Sequence, residues 1–148
     1  MSPQGRRGPR GRPSLAYADT NLFIALFAGP GHPLHEPALG IFRRVADADL
    51  GLIVTPIVVA ELVHVARSVL GWTRHVIADR LGSLLEADGL VVNERAALSH
   101  ALELFGSRSR LDFADAYLAA LGVTVGPPAV ASFDRDLDAI EGLRRISA

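Results

Sequence analysis

Asp112 and Asp115 stand three apart in LDFADAYLAALG, at the front of a segment that is otherwise apolar. An apolar helix that opens on two carboxylates either caps its first turn with them or turns them toward a cation. Three further acids stand out by their placement. Asp19 follows the apolar LAYA, Asp134 follows AVASF, and Glu61 lies inside IVVAELVHV, where nearly every neighbour reads as buried. Most of the sixteen acidic residues instead fall on polar helix faces or in loops, where solvation explains them.

Each of the five has an ordinary explanation when taken alone. Asp19, Asp112 and Asp134 are placed to cap helices, Asp115 would complete an acidic capping box with Asp112, and Glu61 could pair with an arginine. Their joint placement adds a second reading. In a parallel sheet, the carboxyl ends of the strands and the amino ends of the following helices share one edge, and ligands bind there. Asp19, Asp112, Asp115 and Asp134 fall at such points, and Glu61, about two turns into its helix, can lean over the same edge. Two carboxylates about 4 Å apart repel by roughly 4 kcal/mol at an effective dielectric near 20. Such a pocket calls for a cation, and an all-oxygen ligand set selects Mg²⁺ or Mn²⁺. Two such ions would suit the hydrolysis of a phosphodiester by an activated water.

The elements needed to place these acids can be read along the chain. LAYAD predicts a strand and TNLFIALFAG a short helix closed by Gly29; HEPALGIFRRVADAD predicts an amphipathic helix and GLIVT a buried strand. TPIVVAELVHVARSVLG predicts a helix capped by Thr55, with Pro56 at its first position and Gly71 as its stop. A helix capped by Thr73 follows, then the strand GLVVN, a helix capped by Asn93, and the helix containing Asp115. PAVASFD predicts a strand, DRDLDAIEG a short helix, and LRRIS a final edge strand. Alternating strands and helices imply an α/β fold, a parallel sheet in a three-layer α/β/α sandwich. Residues 15–148 read as one domain.

Composition removes several chemistries. The 148 residues include no cysteine, which excludes disulfides, thiolate metal sites and cysteine nucleophiles. All fifteen basic residues are arginine, so no mechanism can use a lysine. No apolar run approaches the roughly 20 residues of a membrane span, and the absence of cysteine fits a cytoplasmic setting. Glu61 and His64 form E-x-x-H, half of a di-iron site, but no second copy exists, so His64 reads as a core or edge histidine. Phosphatases of the haloacid dehalogenase type need D-x-D-x-T after the first strand, and DTNLF places Asn21 at the second aspartate. Receiver domains need a lysine.

Four blocks in order, DTN at 19–21, the TPIVVAELVHV helix with Glu61, LDFADAYLAA at 111–120 and SFDRDL at 132–137, resemble the PIN-domain ribonucleases, and among them the VapC-type toxins. The resemblance spans nearly all of the chain after residue 14. It implies a PIN-like fold and a metal-dependent endoribonuclease whose core acids are Asp19, Glu61, Asp115 and Asp134, with Asp112 as an accessory acid. It implies that Thr20, Asn21 and Ser132 hold carboxylates or water in place. It also implies Mg²⁺ or Mn²⁺ as cofactor, RNA as substrate, a homodimer, and a cognate antitoxin that blocks the site. The other reading of the same fold is a non-catalytic module that binds RNA or protein. Concentrated negative charge gives a pure binder little, which favours the enzyme.

Net charge is −1, but residues 1–14 carry four arginines and no acid, which leaves −1 − 4 = −5 for the remainder. This Gly- and Pro-rich segment reads as a disordered extension without a secretory h-region. An acidic domain that handles RNA must still meet phosphates. Arg108 and Arg110, in GSRSRLDF beside the acids, are the candidate contacts, and ordinary solvated loop arginines are the alternative.

Overall fold

The computed structural model describes residues 11–148, so the call of a disordered extension falls largely outside the described residues. The chain begins with β1 (Ser14–Tyr17), α1 (Thr20–Ala28), α2 (His35–Ala46) and β2 (Leu50–Val54). It continues through α3 (Pro56–Ser68), α4 (Arg74–Leu85), β3 (Leu90–Val92) and α5 (Arg95–Ser107). α6 (Phe113–Thr124), β4 (Ala129–Ala131), a 3-10 helix (Arg135–Ala139) and β5 (Arg144–Ile146) complete it. The fold is mixed α/β with parallel strands. Two helices separate β1 from β2, and two more separate β2 from β3, as parallel crossovers require.

Local chemistry explains most element boundaries. Thr55 Oγ1 accepts the Val58 N–H at the start of α3, where Pro56 needs no hydrogen-bond acceptor. Thr73 caps α4 through the Val76 N–H in the same way. Gly29 ends α1 with φ of 81°, a conformation that a Cβ would oppose. α3 stops at Ser68, three residues before the expected Gly71. Asn93 does not cap α5. Its N–H still donates to the Val54 carbonyl, prolonging the β2–β3 ladder, and left-handed Glu94 takes the cap position instead.

The best-packed part of the core lies among α4, α5 and α6. Ile77, Leu81, Leu85, Leu98, Leu102 and Phe105 are all buried there. Burying such a side chain fully contributes about 1.5–3 kcal/mol. Gly106 allows α4 and α5 to approach closely: a Cβ at that position would sit 2.6 Å from the Ala78 Cβ.

The parallel sheet expected from the sequence is present, with its strands hydrogen-bonded in two groups. Hydrogen bonds join β1, β2 and β3 into one parallel sheet, with Ser14 opposite Leu50 and Leu52 opposite Leu90. β4 and β5 form a second, two-stranded sheet in which Ala129 faces Arg144. One continuous sheet covered on both faces would bury β1, yet Leu15 is 61% and Tyr17 73% exposed. Among the described residues, β1 has a strand partner on one edge, β2, and none on the other.

Candidate active site

Asp19, Asp112 and Asp134 all occupy N-cap positions, of α1, α6 and the 3-10 helix respectively. Asp134 caps in the ordinary sense, since its Oδ1 accepts the Asp136 N–H at 2.9 Å. The side chains of Asp19 and Asp112 make no capping hydrogen bond, although both backbones have the extended geometry of a cap. Asp115, in the first turn of α6, does not close a capping box with Asp112 either. The carboxylates that open LDFADAYLAALG are therefore not held by helix capping.

They act on one another instead. The Asp115 carboxyl is shifted upward from its ordinary value, first by burial, then by the charges of Asp134 and Asp112, and last by a hydrogen bond with the Asp134 carboxyl. This places Asp112, Asp115 and Asp134 within electrostatic reach, joined where α6 packs against β4. The second group lies on α1 and α3. Thr20 is buried at 3% exposure, and its Oγ1 donates to Glu61 Oε2 at 2.7 Å. Asp19 directly precedes Thr20 and is exposed.

The expectation for the surroundings of Glu61 needs correction. Glu61 is not enclosed by buried neighbours. α3 turns Val59, Leu62, Val63 and Ala66 inward, while Ile57, Ala60, Glu61 and His64 face outward. A run that looks uniformly apolar is split by the 3.6-residue period. Ser132 acts on the backbone of Asp134, accepting its N–H at 3.0 Å, rather than on its carboxylate. Asn21 is exposed and makes no side-chain hydrogen bond among the described residues.

The five acids do not converge in one pocket. Among the described residues, no three Asp, Glu, His or Cys side chains gather as a metal-binding group. Asp19 and Asp134 end strands that belong to different sheets, so no ladder draws them together. By donor chemistry the set fits a hard cation, being all oxygen and self-repelling at Asp115. By arrangement it forms two halves, one on α1 and α3 and the other on α6 and β4.

The cations near these acids were only partly visible in the sequence. Arg108 and Arg110 lie in the loop just before Asp112; Arg110 is exposed and Arg108 half-buried. Arg74 organises that loop: its Nη1 faces the carbonyls of Phe105, Arg108 and Leu111 at 3.2, 3.1 and 2.6 Å, and its guanidinium stacks 4.3 Å over the Phe105 ring. Arg145 reaches the Ser132 carbonyl at 3.1 Å and pairs with both Asp138 oxygens, at 2.8 and 3.1 Å. Neither role leaves a spacing signal, because each depends on contacts across the fold. No described helix is long and apolar enough to cross a membrane.

Comparison with curated proteins and with solved structures returns no match to either. A family model does match, across residues 16–143, and it includes both acidic groups and the strands and helices that carry them. The chain belongs to the PIN-domain family.

Proposed function

We propose that the chain is a metal-dependent endoribonuclease of the toxin type, with Asp115 and Asp134 at the centre of its site and Asp19, Glu61 and Asp112 completing it. The observation that carries this reading is the acidic group at the start of α6, where Asp112 and Asp115 are free of capping bonds and Asp115 is crowded by two other carboxyl groups. A helix start that crowds carboxyl groups in this way favours an incoming cation, beyond the partial offset from Arg74 near Asp112 and Arg145 near Asp134. Mg²⁺ or Mn²⁺, once bound, would neutralise the carboxylates and supply a nucleophilic water near neutral pH. Asp115 and Asp134 would hold it, with Asp19 and Glu61 as the ligands from the other half.

The chain's own residues would prepare the site. Thr20 fixes the Glu61 carboxylate by a charge-assisted bond. Ser132 fixes the Asp134 backbone, and the Asp136 N–H takes one oxygen of its carboxylate. Arg145, beside Asp134, offsets part of the negative charge. A homodimer and a cognate antitoxin that covers the acids belong to the same proposal, as does a cytoplasmic setting.

The test is cleavage of a labelled single-stranded RNA with Mg²⁺, with Mn²⁺ and with EDTA, by wild type and Asp115→Asn. Cleavage should require the ion and fall at least about 100-fold in the variant. Cleavage that survives both EDTA and Asp115→Asn would defeat the reading. Binding without cleavage by the wild type would support the non-catalytic module.

A further inference from the structure

α3 carries a second feature on its outward stripe. His64 and Arg67 are exposed further along α3, and Arg67 lies about 9 Å along the axis from Glu61. His64 and Arg67, with Ala60 and Val63, border a groove of about 380 Å³, whose opposite wall is Phe105, Asp112 and Phe113. The groove therefore runs from beside the acids at the start of α6 along α3.

Arg67 is exposed and forms no ion pair among the described residues. Its guanidinium lies 6.0 Å over the Phe105 ring, which also carries Arg74. The two guanidinium groups share one aromatic ring and repel each other; Arg74 is shifted downward first by burial and then by the Arg67 charge, with Asp112 opposing. Arg74 is committed to three loop carbonyls and cannot turn away. Arg67 is left with its fork of donors unclaimed, beside a fixed like charge. An anion between the wall and Arg67 would relieve that repulsion and satisfy those donors.

We propose that this groove is a subsite for an RNA phosphate flanking the bond to be cut, with Arg67 as its cation and the exposed His64 ring beside the strand. The inference rests on the nuclease reading above and adds the direction in which the strand leaves the acids, along α3 toward Arg67. Asp112 at the groove's other wall repels phosphate, which keeps the anion at the Arg67 end. Arg67 thus binds and positions the strand without touching the scissile group.

The full chain carrying Asp115→Asn, in EDTA, is titrated with a fluorescein-labelled single-stranded RNA, and anisotropy is followed from about 50 to 200 mM salt. Adding Arg67→Gln should weaken binding about five- to tenfold at the low end and reduce the log–log salt slope by about 0.7, the loss of one phosphate contact. Arg67→Lys should keep the wild-type slope. Thermal melts of all three proteins should coincide. A wild-type slope and affinity in Arg67→Gln, with RNA still bound, overturns the subsite alone. Weakened binding with an unchanged slope and a lowered melting temperature also overturns it, since Arg67 would then serve packing and the α3 terminus. If the parent protein binds no RNA at any salt, the nuclease reading fails and takes the subsite with it.

Discussion

Leu98 and Tyr17 sit in segments of similar apolar character, and they meet different fates. Leu98 is fully buried where α5 packs against its neighbours, while Tyr17, on β1, is 73% exposed. Around Leu98, helices interlock through small residues, and Gly106 lets α4 and α5 close together. Around Tyr17 the sheet stops, and Phe133, just beyond the end of β4, is 87% exposed. Asp19 follows β1 and Asp134 follows β4, while Asp112 and Asp115 open α6 at the border of the helical stack. The stack holds the buried side chains, and the free carboxylates lie at strand ends and helix starts.

This contrast can be broken by substitution. The largest effect belongs to Leu98→Ala, which should destabilise by about 3 kcal/mol through lost burial and a residual cavity, read by urea denaturation. A cost below about 1 kcal/mol would mean that the stack is not the stable region. Thr20→Val should cost about 1 kcal/mol, because Glu61 loses its buried donor but remains open to water. Equal stability of that variant would remove Thr20 as the anchor of Glu61.

Asp115→Asn should have the opposite sign and a smaller size, under about 1 kcal/mol in metal-free buffer. Its folded carboxyl is raised above the ordinary 3.8, so at neutral pH its charge opposes folding. That penalty is fully present above the folded value and is relieved as pH falls through it toward 3.8. The variant's advantage should therefore be present at neutral pH and fade in acid. A variant that is less stable at neutral pH would show Asp115 serving the helix dipole instead. Tyr17→Thr should cost the least, within about 0.5 kcal/mol, as for other exposed positions. A cost several times larger would show that β1 is covered in solution, and the contrast between the two regions would shrink.

The sequence carried local information well and long-range information poorly. Thr55, Pro56 and Thr73 announced their helix starts because a cap is made by residues three apart. Asp112 and Asp115 were conspicuous because they interrupt an apolar run. Asn93 misled, since its N–H was claimed by a strand, and no residue near it in the chain signals that contact. The gap between β1 and β4 was equally invisible: both segments have strand composition, and composition does not name a neighbour. Glu61 was found for a reason that did not hold, because its surroundings were judged by hydrophobicity without regard to the helix period.

Arg74 has a consequence for how such a protein can change. It grips the loop before Asp112 by main-chain oxygens alone, so the side chains at positions 107–110 carry no part of that attachment. The loop before the acids can therefore be rewritten residue by residue while the acids stay in register. Change in the loop's surface chemistry is thereby decoupled from the placement of Asp112 and Asp115.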